Sequence, residues 1–72
     1  MAFFEKIDTL KRLDLLIRTR QMGTSKSLSK ILNISQRTFF NYLDELRSRG
    51  AIIEYSKVTK SYFYVKIFVL KF

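Results

Sequence analysis

Gln36, Arg37, Thr38, Phe40 and Asn41 are the residues of this chain whose types and spacing best suit chemistry with a partner. On a helix turning about 100° per residue, Arg37 and Asn41 fall on one side with Asp44 and Ser48. Phe39, Leu43, Leu46 and Gly50 fall on the other, with Tyr42 at its edge and Phe40 between the two sides. The planar fork of Arg37 matches the acceptor pair on a guanine edge. Asn41 can both donate to and accept from an adenine. Gln36 and Thr38 stand in the first turn, within reach of bases or phosphates. Phe40 suits contact with a thymine methyl, but packing at the flank of the core is its preferred reading.

A second set of residues suits phosphate. Lys26 and Lys30 precede the helix and Lys57 and Lys60 follow it, while Thr24 and Ser25 open a shorter helix with free amides. The net charge is +8. Between Asp14 and Asp44 there is no acid, but there are Arg18, Arg20, Lys26, Lys30 and Arg37. After Glu54 there is again no acid, but there are Lys57, Lys60, Lys66 and Lys71. Blocks of this kind attract polyanions. A uniformly basic, soluble surface is the plainer alternative.

The same composition argues against catalysis. There is no histidine and no cysteine, which removes the commonest general base, the commonest thiol nucleophile and the usual zinc ligands. Asp44 and Glu45 are neighbours that point apart on a helix. No enzyme activity, metal or cofactor is expected. With 72 residues the chain reads as one domain, 1–72, whose small core gives only marginal stability. No apolar run spans a bilayer and the N-terminus lacks the order of a signal peptide, so the expectation is a soluble, cytoplasmic protein with no membrane partner.

Elements must hold those side chains in place. Phe3, Ile7, Leu10, Leu13, Leu16 and Ile17 predict a first helix over 3–22, and Gly23 follows it as a stop signal. Leu15, with Phe4 and Met22 near it on the wheel, makes a second apolar strip. Thr24 caps a second helix over 25–32 whose inner face is Leu28, Ile31 and Leu32. Asn33 ends it in a left-handed conformation and Ile34 points inward from the tight turn. Ser35 caps the third helix, 36–49, and Gly50 closes it. From Ala51 the residues become β-branched and aromatic, predicting a hairpin over 51–66 with a basic loop from Lys57 to Ser61. Tyr55, Tyr62, Phe63 and Tyr64 suit single-strand stacking, but aromatics in a small hairpin more often cover a core. The tail beyond Val65 is apolar on both faces. It is expected to add a third strand under the first helix or to pair with another chain.

The resulting fold class is α+β, mainly α: a three-helix winged helix-turn-helix with a C-terminal β-hairpin wing. Gly23-Thr24, Leu28, Leu32-Asn33-Ile34-Ser35, Arg37-Thr38-Phe39, Leu43, Leu46 and Gly50 resemble the DeoR-type winged-helix pattern. That pattern runs Leu-Ala, Leu-Gly-Val-Ser, Thr-Ile-Arg-Arg-Asp-Leu, Leu, Gly. The wing residues from Gly50 to Tyr55 and from Ser61 to Tyr64 are similar to those of small bacterial members. The resemblance covers residues 7 to 65. It implies a small bacterial transcriptional regulator that binds double-stranded DNA, with base contacts from Gln36 to Asn41 and phosphate contacts from the second helix and the wing. Ser29 and Asn33 replace an alanine and a glycine of the pattern, and Phe40, Asn41 and Tyr42 replace its Arg-Arg-Asp. The last change removes charge from positions that often meet DNA, so a protein-protein interaction module is the alternative. One recognition helix reads few bases, so a homodimer is expected. Its contact would be Leu15, Phe4 and Met22, or the tail from Phe68 to Phe72.

Overall fold

The computed structural model describes residues 3–71, with side chains from Glu5 onward. Three helices, α1 (Phe3–Arg18), α2 (Ser25–Ile31) and α3 (Gln36–Ser48), precede an antiparallel hairpin of β1 (Ile53–Ser56) and β2 (Ser61–Tyr64). The layout is that of a winged helix.

Helical spacing builds the core. Leu10, Leu13 and Ile17 of α1 are buried together with Phe39, Tyr42, Leu43 and Leu46 of α3. Leu28 and Leu32 close the cluster from α2, and Ala51, Ile53 and Tyr62 from the hairpin side. Ser35 starts α3 as expected: its hydroxyl accepts from the Thr38 amide at 3.1 Å. Thr24 does the same for α2, accepting from the Ser27 amide at 3.3 Å. Asn33 takes the expected left-handed turn, at φ 58°. Gly50 closes α3 at φ 104°.

The first helix ends earlier than the 3–22 expected, at Arg18. Arg20, not Gly23, takes the left-handed position, at φ 53°. The Gln21 amide then donates back to the Leu16 carbonyl at 2.9 Å, which satisfies a carbonyl of the last turn. The cause is tertiary. Met22 forms an antiparallel bridge with Ser61, and the Gly23 amide donates to the Lys60 carbonyl at 2.8 Å. The segment must therefore run extended beside β2. Gly23 still needs to be glycine, since its φ is 154° and a Cβ there would lie 3.2 Å from Leu28 Cδ2.

Two further expectations are corrected. Ile31 does not share the inner face of α2; it is 56% exposed, and Ser29 is buried beside Leu28 instead. A serine fits there because its hydroxyl donates to the Lys26 carbonyl at 2.9 Å. Among the described residues the tail does not become a third strand under α1. Phe68 and Leu70 pack against the core, while Ile67 and Val69 point away from it. Tyr64 and Phe68 hold the start of this segment with ring centroids 5.3 Å apart.

Candidate nucleic-acid interface

The N-terminal half of α3 projects a polar face over a rigid support. Phe39 is fully buried, and its ring meets Tyr62 of β2 edge-on at 5.5 Å. Tyr62 in turn meets its cross-strand partner Tyr55 at 4.9 Å. Opposite this anchor Gln36, Arg37 and Asn41 are exposed and Thr38 is half-buried. Thr38 is engaged in the cap, where its hydroxyl oxygen lies 3.0 Å from that of Ser35. Phe40 is 46% exposed and touches Phe39 edge-on at 5.7 Å. Its ring rests against the core at one edge and leaves the other open, an arrangement compatible with both uses weighed for it.

The wing turn is tied to the start of α2. Residues 57–60 form a four-residue turn, stabilised by the Ser56 hydroxyl accepting from the Thr59 amide at 3.3 Å. Lys60 sits in the left-handed region at φ 54° and accepts the Gly23 amide through its carbonyl. That bond places Lys60 beside Thr24 and Ser25. Ser25 is half-buried and turned partly inward: burial pushes the Tyr62 phenol above its ordinary value, and a hydrogen bond with Ser25 opposes the shift. The Thr24 hydroxyl serves the cap. Of the phosphate candidates, Lys26, Lys30, Lys57 and Lys60 are the exposed ones with unengaged cationic ends.

The electrostatics separate two groups of cations. Arg12, Arg18, Arg47 and Arg49 are paired with Asp8, Asp14, Asp44 and Glu45. Arg47 also donates to the Ile53 carbonyl at 3.2 Å, locking the end of α3 to the hairpin. Among the described residues, Arg37, Lys26, Lys30, Lys57 and Lys60 are in no ion pair, and neither are Lys6, Lys11, Arg20, Lys66 and Lys71. No protein family, curated protein or solved structure matches the chain. The reading of this face rests on its own chemistry. Among the described residues no cluster of acids could hold a metal ion, and no helix is long and apolar enough to cross a membrane.

Composition gave no notice of one structural pair. Asp14, which entered the sequence reading only as a charge bounding the first basic block, is only 5% exposed. Tyr64 donates to its Oδ1 at 2.6 Å, and Arg18 Nε lies 3.0 Å from its Oδ2. Burial, then the bond to Asp14, holds the Tyr64 phenol far above the usual tyrosine range. The available sign was helical spacing, since Asp14 falls one position from Leu13 and four from Leu10.

Proposed function

We propose that this chain binds double-stranded DNA as a small transcriptional regulator of the DeoR-like winged-helix kind. α3 enters the major groove, Arg37 and Asn41 read base edges, and Gln36 and Thr38 contact the groove edge. Lys26, Lys30, Lys57 and Lys60 meet phosphates, with Thr24 and Ser25 at the start of α2 beside them. The observation that carries this reading is the exposed polar face of Gln36, Arg37 and Asn41 on the N-terminal half of α3. Beside it Lys26, Lys30, Lys57 and Lys60 are exposed and in no ion pair, which leaves their charge for an external anion. A second copy of the chain would double the site read. Leu15 and Met22 are exposed and suit that contact; of the tail from Phe68 to Phe72, Val69 is exposed, whereas Phe68 and Leu70 are packed against the core. Phe4 as a side chain and Phe72 lie outside the described residues.

The half-exposed Phe40 and the exposed Ile31 favour a second reading, in which the same face docks on a protein. Fluorescence anisotropy against random duplex over a range of salt separates the two. Neutralising about five phosphates gives a log-log slope of roughly −4 to −5. A flat salt dependence, or no binding at low salt, removes the DNA reading and leaves the protein partner.

A further inference from the structure

We propose that the groove between the end of α1 and segment 65–68 is a binding site for a small aromatic carboxylate. The groove lies at the base of the hairpin, since Tyr64 is at the opposite end of β2 from the wing turn. Its volume is about 350 Å³, at the low end for sites that hold small organic ligands. Its cationic rim is Arg18, Arg20 and Lys66, and its floor is the ring pair of Tyr64 and Phe68.

The rim and the floor ask for different halves of one ligand. Arg18 is answered by Asp14 at 3.0 Å. Neither Arg20 nor Lys66 is in an ion pair among the described residues, so the rim keeps two unanswered charges. The Arg20 guanidinium sits 5.3 Å from the centre of the Phe63 ring. A stacked guanidinium uses its face and leaves its N–H edge free, the geometry that takes a carboxylate by two parallel bonds. Arg20 holds a left-handed backbone, at φ 53°. The Tyr64 hydroxyl is engaged by Asp14, so Tyr64 presents ring rather than donor to the groove. Tyr64 and Phe68 pack against each other at 5.3 Å, inclined at 43°, and together give an apolar floor against which a planar body can rest.

The test uses the full chain, with naphthoate as probe and amide NMR as readout. Naphthoate should bind saturably and shift amides of Arg18, Arg20, Val65 and Lys66 ahead of those of α3. Neutral naphthylmethanol and acetate, each carrying half of the chemistry, should bind at least tenfold more weakly, the scale of one charge-assisted hydrogen bond. Arg20→Asn keeps the left-handed turn, which asparagine tolerates, and should weaken naphthoate about tenfold. Lys66→Gln lies on the exposed tail, stays folded whatever happens at Arg20, and should weaken it less. No saturable binding, equal binding of naphthylmethanol, or wild-type affinity in both variants would overturn the proposal. DNA binding is a separate measurement, so failure here leaves the reading of α3 standing.

Discussion

Tyr64→Phe removes one oxygen and leaves the ring, so its effect isolates the bond to Asp14. That bond is 2.6 Å long and ends on a carboxylate that is 5% exposed. After the change Asp14 keeps Arg18 on its other oxygen, and Oδ1 loses its donor. A hydrogen bond to a charged group contributes roughly 1.5–3 kcal/mol. Arg18 is more than half exposed and water can approach from its side, so about 2 kcal/mol is the expected loss. In a domain of this size that lowers Tm by roughly 8–16 °C. Thermal and urea melts at neutral pH give the number, and an unchanged urea m-value shows that the unfolded state is not what moved. The same pair gives a pH signature. Tyr64 is held above the ordinary tyrosine value by burial and by Asp14. Its contribution is therefore complete below pH about 10 and is lost as pH rises through the folded value. The gap between wild type and Tyr64→Phe should narrow by about 1.4 kcal/mol per pH unit from pH about 10 up to the folded value. Tyr62 is present in both proteins and cancels. Equal melting at neutral pH, or a gap that stays constant into strong alkali, would refute the role given to the pair.

Three other outcomes follow from the geometry. Arg37→Ala should relax base preference in a selection from random duplexes, whereas Lys57→Ala should weaken every duplex alike and flatten the salt slope by about 1; identical behaviour of the two would dissolve the assigned roles. Gly23→Ala should cost more than about 1 kcal/mol by urea titration, because it meets both an unfavourable φ and Leu28 at 3.2 Å, while Gly50→Ala meets nothing within 4 Å and loses only on φ. Phe39→Ala should cost about 3–5 kcal/mol, comparable to the whole stability of a chain this short, and circular dichroism should show it largely unfolded at ambient temperature.

The third helix was legible because local and tertiary demands agree there. Ser35 is a cap by chemistry, and Phe39, Leu43 and Leu46 are buried by spacing, so nothing competes with the pattern. The start of α2 and the left-handed Asn33 follow for the same reason. The end of α1 was not legible, because Arg20 carries no sign of a left-handed role; the pairing of Met22 with Ser61, nearly forty residues away, decides it. Ile31 was misplaced because two turns of helix define a face poorly, and a small serine fitted the tighter contact. In the candidate interface, residue types indicated which side chains suit DNA. They did not indicate that Thr38 is drawn into the Ser35 cap, or that Ser25 leans toward Tyr62.

The bridge between Met22 and Ser61, the amide of Gly23 on Lys60 and the Arg20 guanidinium over the Phe63 ring fasten the hairpin to the linker before α2. A two-stranded hairpin is scarcely stable alone, so its order depends on that attachment and on the rings beneath it. Opening the hairpin and loosening the linker are then one cooperative local unfolding step. The Gly23 amide is its natural reporter: its rate of exchange with deuterium measures how often the whole wing lets go while α1 and α3 stay folded.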